Sequence, residues 1–292
     1  MTDFDFKYAE YQKVVDERLS EFCDKLTCQP QILKDSLVYS IKLGGKRVRP
    51  VLMLAFADLL KTDRSDIVNY ALALELIHTY SLIHDDLPEM DNDDFRRGKP
   101  SNHKVFGAGN AVLAGDGLLN TAYSILFNEC FKGNEYVSAA KYICDCAGIE
   151  GMIAGQSADL LHENDAAVNE DILNFIHTNK TAKLIMAACV VPSILSGGKY
   201  YSEIKTFAHD LGVLFQLTDD ILDVEGSFEN MGKSIGKDGN DGKYTAVSLY
   251  GLSDSKLRAD LYADRCAKML EGLDGDTEFL KNTVYFVRQR IN

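Results

Sequence analysis

Three observations make this an all-α chain. Apolar residues recur at spacings of three and four along most of its 292 positions. No stretch alternates convincingly enough for a strand, and no repeat returns at a fixed period. Only five prolines interrupt the pattern. Helices packed on helices then form the core, and the length suits one large domain, residues 1–292, as readily as two smaller ones.

Composition narrows the function before any motif is read. A net charge of -13 argues against nucleic-acid binding, so local groups of cations read as pockets rather than as a phosphate-tracking face. Seven cysteines without a Cys-x-x-Cys pair suit reduced thiols in a cytoplasm. The acidic start resembles neither a secretory signal nor a transit peptide. The longest apolar run, Leu184 to Leu195, is broken by Pro192 and is too short to span a bilayer, so no membrane span is expected.

Taken in order, residues 4–43 are predicted as two helices parted near Thr27-Cys28-Gln29-Pro30, where proline opens or ends a helix. Gly44-Gly45-Lys46-Arg47-Val48-Arg49-Pro50 follows. A glycine pair beside three cations suits an anion site, and equally a helix C-cap with dipole-compensating charges. Val51 to Leu60 and Ile67 to Asp86 read as apolar helices. On the second, His78 and Asp85 are seven residues apart, about 20° in angle, and so share a face. Taken alone, a histidine on an apolar helix is usually a satisfied core residue and less often a ligand. Residues 110–131 and 135–160 are predicted helical, with Gly148, Gly151 and Gly155 read as a close helix contact. Residues 171–195 turn from polar to apolar at Lys180-Thr181. Ile204 to Asp223 is the clearest amphipathic helix. Gly226 to Tyr244 carries five glycines with Lys233, Lys237 and Lys243, which predicts a cationic flap and not a Walker loop. Two further helices complete the tail from Ser253.

The chemistry is concentrated in the acids. The helix ending at His84 delivers Asp85 and Asp86, and Pro88 biases Leu87 out of helical geometry, so Asp91 returns on a turn beside Arg96 and Arg97. Close-packed carboxylates suit a hard divalent cation, and guanidinium groups beside them suit a shared diphosphate. Read alone, the run is also what a solvated acidic turn looks like, and its register fits no calcium loop. The second cluster, Asp219-Asp220-Ile221-Leu222-Asp223, puts Asp219 and Asp223 on one helix face, a repulsive spacing that calls for a cation. Two such clusters ending two apolar helices 134 positions apart (219 minus 85) are expected to face one another across a bundle.

Asp85-Asp86-x4-Asp91 with Arg96-Arg97, together with Asp219-Asp220-x2-Asp223, resembles the two aspartate-rich motifs of the trans-isoprenyl diphosphate synthases. The likeness runs from about Gly44 to Gly251. It implies an isoprenoid synthase-type helical bundle, usually dimeric, around a deep cavity. By resemblance Asp85, Asp86, Asp91, Asp219, Asp220 and Asp223 would bind Mg²⁺, three ions per site, about an allylic diphosphate. Arg96, Lys180, Thr181, Gln216, Lys233 and Lys243 would hold that substrate. Lys46, Arg49, His78 and Arg97 would hold isopentenyl diphosphate. The implied reaction is ionisation of the allylic diphosphate and attack by the isopentenyl double bond, with Asp85, Asp86, Asp91, Asp219, Lys180 and Gln216 as its catalytic groups.

Product length follows from the helix below Asp85. Tyr80 and Ser81 lie about 6 to 8 Å along it, where a growing tail arrives. An aromatic residue five positions before the first aspartate resembles bacterial farnesyl diphosphate synthases and implies a (2E,6E)-farnesyl, fifteen-carbon product; Tyr80 as an ordinary core aromatic is the other reading. A twenty-carbon geranylgeranyl synthase is the alternative. A class I terpene cyclase would carry a different second motif, and a non-catalytic subunit would be expected to lack one cluster.

Overall fold

A computed structural model describes residues 2–163, 168–225 and 243–289. The first two helices, α1 (Asp3–Lys25) and α2 (Gln31–Lys42), part at residues 26–30 as expected. Thr2 opens α1 with a reciprocal capping box, its hydroxyl accepting from the Asp5 amide while the Asp5 carboxylate accepts from the Thr2 amide. Next come α3 (Val48–Leu60) and α4 (Arg64–Asp85). The start of α3 precedes the expected one because Pro50 sits in its first turn, where no intrahelical N–H is required. The middle of α4 is buried without a break from Tyr70 to Ile77, flanked by α3 and by α6 (Ala108–Cys130), so there it is apolar around most of its circumference and not on one stripe.

Four features depart from the sequence reading. First, Phe95–Arg96 and Lys99–Pro100 form an antiparallel hairpin, the only sheet among the described residues. Two residues per strand are too few to alternate. The signal was the turn, since Arg97 and Gly98 both hold positive φ. Second, residues 135–160 are two helices, α7 (Asn134–Ala147) and α8 (Met152–Leu161). A Cβ on Gly151 would come within 2.2 Å of the Cys146 carbonyl oxygen, so that glycine makes the turn, and of the three only Gly155 makes the close helix contact. Third, residues 170–195 run as α9 (Glu170–Ile176), a π-helical turn His177–Ala182, and α10 (Lys183–Leu195). Fourth, Pro192 lies inside α10 without ending it.

The fold continues with α11 (Tyr201–Glu225), α12 (Ala246–Tyr250), α13 (Leu252–Glu271) and α14 (Glu278–Arg288). A short α5 (Asn102–Phe106) precedes α6. Among the described residues the buried apolar side chains form a core cluster reaching from Tyr8 to Val287, and no helix is long and apolar enough to cross a membrane. All seven cysteines are free.

Candidate active site

The two acidic clusters meet. Asp85, at the end of α4, and Asp219, near the end of α11, both line a cavity of about 860 Å³. A smaller adjoining cavity of about 180 Å³ is walled by Asp85, Asp91, Asp219 and Asp220, with Arg96, Lys180, Gln216 and Lys243. The larger one continues between α4, α6, α8, α10 and α11, where Leu119, Met152, Leu184, Phe215 and Leu222 make much of its wall apolar.

The turn carrying Asp91 is built as expected. Its amide donates to the Asp85 carbonyl (2.8 Å) and Asn92 N–H to the Leu87 carbonyl (3.0 Å), folding the chain back on the helix end. Asp86 is buried and does not face the cavity; it accepts from Arg96, whose guanidinium also reaches Asp93. Burial pushes Asp86 above the ordinary carboxylate range, with Arg96 opposing it. Asp85 is pushed up to about 6 by burial, which the cations of Lys180 and Arg96 only partly offset against Asp91 and Asp86. It is a carboxylate short of positive charge.

Lys180 and Thr181 come from the π turn, where the widened helix is pressed between two glycines. A Cβ on Gly155 of α8 would fall 2.0 Å from the Lys180 amide nitrogen, and one on Gly212 of α11 would fall 2.3 Å from the Ala182 Cβ. From that turn Lys180 Nζ reaches Asp159 Oδ2 at 2.5 Å, and Lys243 Nζ lies 2.6 Å from Asp91 and 4.0 Å from Asp159. Burial opposes the Lys180 charge, but Asp159, Asp85 and Asp91 outweigh it and hold the ammonium above its ordinary range. Thr181 Oγ1 donates to Gln216 Oε1 (2.6 Å), and Gln216 Nε2 to Asp220 Oδ1 (2.9 Å). The other oxygen of Asp220 accepts from the Ala246 amide (2.7 Å) and stands 3.3 Å from His177 Nε2. Burial would raise Asp220, yet His177 and these donors lower it.

The larger cavity is also lined by Lys46, Arg49, His78 and Arg97, together with Arg96, which lines both cavities. Arg49 Nη1 lies 3.1 Å from His78 Nε2; guanidinium only donates, so the imidazole accepts. Burial, then the charges of Arg49 and Arg97, keep His78 well below its ordinary pKa and neutral. Arg97 donates to the Gly44 carbonyl. Tyr80 and Ser81 also line the cavity; Tyr80 is 5% exposed and stands edge-on to His84 with ring centroids 5.6 Å apart.

Of the sequence-predicted residues, Asp85, Asp91, Asp219, Asp220, Arg96, Lys180, Gln216 and Lys243 share the smaller cavity, while Asp86 and Asp223 are buried beside it. Lys233 and Lys237 lie outside the described residues, as does Arg290. Arg288 is paired to Asp260 at 2.6 Å. Sequence reasoning missed Asp159, Asp93 and His177. Asp159 follows Gly155 by one helical turn, so the close glycine contact was the available signal for it.

Among the described residues, no three Asp, Glu, His or Cys side chains stand close enough to hold a metal ion as arranged. The donor set nevertheless suits a hard divalent cation: oxygen ligands only, from the ends of two different helices, with Asp85 under-compensated by its neighbours.

Residues 30–271 match the family model described as Polyprenyl synthetase. The chain is 40% identical to the farnesyl diphosphate synthase of Bacillus subtilis over 280 residues, 93% of each chain. It is 41% identical to the chloroplastic geranylgeranyl pyrophosphate synthase of Capsicum annuum over 93% of this chain and 74% of that one. Among solved structures, a geranyltransferase from Legionella pneumophila superposes with a TM-score of 0.87 at 29% identity, covering 99% of both chains. One from Helicobacter pylori, complexed with magnesium and isoprenyl diphosphate, gives 0.82 at 30% identity over 98% of this chain and 97% of that one. The helical bundle is thus of the isoprenoid synthase type. With a family match across most of its length and two aspartate-rich helix ends on one cavity, this chain belongs to the polyprenyl synthetase family of trans-prenyltransferases.

Proposed function

We propose that this protein condenses isopentenyl diphosphate head-to-tail with dimethylallyl and then geranyl diphosphate, giving (2E,6E)-farnesyl diphosphate. The observation that carries the reading is that Asp85 of α4 and Asp219 of α11 line one cavity with a largely apolar wall. Lys180, Lys243 and Arg96 beside them bind the allylic diphosphate, with Lys233 expected from the flap. Asp85, Asp91 and Asp219, supported by Asp86, Asp220 and Asp223, would hold Mg²⁺, which supplies the positive charge that makes diphosphate a competent leaving group.

The allylic carbon–oxygen bond breaks with its electron pair leaving on the diphosphate. The Thr181 and Gln216 oxygens face the resulting cation, and the apolar wall excludes water from it. The isopentenyl double bond, held through its own diphosphate by Lys46, Arg49, His78 and Arg97, attacks the cationic carbon. Loss of a proton to the departing diphosphate restores an alkene, one isoprene unit longer. No side-chain nucleophile takes part.

Tyr80 supports the fifteen-carbon limit, because its buried ring walls the cavity five residues before Asp85. The protein reads further as a single cytoplasmic domain acting as a homodimer. Both clusters on one cavity disfavour a non-catalytic subunit. Purified protein supplied with dimethylallyl and isopentenyl diphosphates should give chiefly fifteen-carbon alcohols after phosphatase treatment. Chiefly twenty-carbon alcohols would make it a geranylgeranyl synthase, and turnover without isopentenyl diphosphate would make it a cyclase.

A further inference from the structure

The loop Gly44 to Arg47 does not hold its shape by its own preferences. Gly44 (φ 77°), Gly45 (φ 130°) and Arg47 (φ 51°) all have positive φ, and Arg47 is not a glycine, so the loop needs outside support. Arg47 is held in part by the Glu75 carboxylate (2.8 Å) and the Ile41 carbonyl (2.9 Å), and Gly44 by Arg97; the rest of the support is one stripe of the N-terminal helix. Gln12 Nε2 donates to the Gly45 carbonyl (3.0 Å) and the Tyr8 hydroxyl to the Lys46 carbonyl (2.7 Å). The Asp16 carboxylate accepts from Arg47 Nε (3.0 Å). Residues 8, 12 and 16 are spaced one turn apart on a single face.

Three consecutive loop residues therefore meet one face of α1, though not in its order: Gly45 meets Gln12, Lys46 meets Tyr8 and Arg47 meets Asp16. Tyr8 is itself seated among Phe4, Phe279 and Phe286, and Lys46 Nζ lies 5.5 Å from the Phe286 ring, so the C-terminal helix backs the same arrangement.

The consequence is directional. The 45–46 and 46–47 peptides are trans, and in a trans peptide the carbonyl and the N–H point opposite ways. With both carbonyls turned onto α1, the N–H groups of Lys46 and Arg47 turn away from it. No residue of α1 lines the cavity, whereas residues 45–49 do, so the helix stands behind the loop and the amides face the cavity side.

We infer that Tyr8, Gln12 and Asp16 are positioning residues for the diphosphate of the non-allylic substrate, setting the loop that presents Lys46, Arg49 and two backbone amides. This deepens the proposed function and rests on its assignment of Lys46 and Arg49 to isopentenyl diphosphate. The stripe precedes residue 30, where the family match begins.

Isopentenyl diphosphate alone cannot ionise, so its binding is measurable by calorimetry without turnover. Tyr8→Phe keeps the ring packing and removes only the hydroxyl; Gln12→Leu removes only the amide. Two lost hydrogen bonds should weaken isopentenyl diphosphate binding roughly tenfold in the double variant. Binding of a non-ionising geranyl thiolodiphosphate should stay within about twofold of wild type, and turnover at saturating isopentenyl diphosphate should be retained. Lys46→Ala serves as the control for the reading beneath.

If Lys46→Ala loses isopentenyl diphosphate affinity while Tyr8→Phe/Gln12→Leu binds it like wild type, the inference is overturned and the proposed function stands. Unchanged binding in Lys46→Ala would overturn both. Equal weakening of both ligands with a fallen melting temperature would reduce α1 to a general stabiliser, and that too overturns the inference.

Discussion

Asp159 Oδ2 stands 2.5 Å from Lys180 Nζ, tying α8 to the π turn at the centre of the acidic site. The pair is largely buried, with side chains 12% and 25% exposed. Removing one member of such a pair strands the other's charge, typically at about 3–5 kcal/mol, and less here because Asp85 and Asp91 remain beside the ammonium. Asp159→Asn should lower stability by about 2 kcal/mol. In Asp159→Asn/Lys180→Met the stability should return only in part, because Asp85 and Asp91 lose a compensating cation, while turnover stays down by on the order of 10²-fold, since the cation that meets the diphosphate is gone. Denaturant unfolding beside steady-state kinetics separates the two effects. Turnover returning together with stability would remove Lys180 from the chemistry.

Asp85→Ala and Asp219→Ala should each reduce turnover by orders of magnitude, because each removes a carboxylate that lines the shared cavity. Helix content by circular dichroism and assembly by sedimentation should stay near wild type, as neither side chain supports the core. Chelation of the wild-type protein should abolish turnover, and added Mg²⁺ should restore it. Full activity in either variant would contradict the metal-binding role.

The legible and illegible parts of this site differ for a physical reason. Carboxylates clustered at the ends of apolar helices cannot be buried cheaply, so Asp85 and Asp219 announced a common destination from sequence alone. Asp159 did not, since one aspartate on a short amphipathic helix looks like solvent-facing charge until Gly155 brings α8 against the π turn. His177 was hidden likewise: its partner Asp220 is 43 positions away (220 minus 177), and nothing local marks a buried imidazole. Asp220 was legible as an acid but not in its surroundings, since its oxygens meet the Ala246 amide, Gln216 and His177. The start of α2 was readable at Pro30, whereas Pro50 set the start of α3 too late, because proline also fits inside a helix's first turn. The boundary inside 135–160 was not readable, because the glycine that turns the chain at 151 has the same spacing as the glycine that packs it at 155.

Tyr80→Ala should lengthen the product. The ring is buried against the cavity on α4, and truncating it opens space along the path the tail follows from Asp85. The expected result is a main product of twenty carbons or more, read by chromatography of dephosphorylated alcohols, with the first condensation little changed. An unaltered fifteen-carbon product would mean that the limit lies elsewhere on the wall, with Leu119 the next side chain to truncate.

His78 should make the protein acid-sensitive in a defined window. Its imidazole is buried, and the guanidinium groups of Arg49, Arg97, Arg96 and Arg47 repel a proton on it, so its folded pKa lies well below 6.5. Below 6.5 the unfolded chain binds a proton that the folded chain refuses, so stability falls as the pH drops from 6.5 toward the folded value. Above 6.5 both states are neutral at this residue and it adds no pH dependence. Wild type should therefore lose about 2 kcal/mol more than His78→Gln between pH 7 and pH 5, since glutamine cannot take up the proton. Denaturant unfolding at the two values measures this. Long-range nitrogen–proton spectra should show a neutral ring protonated on Nδ1 at pH 5.5, with Nε2 accepting from Arg49. An imidazole titrating near 6.5, or equal acid losses in both proteins, would show that His78 is solvated and does not hold Arg49 in place.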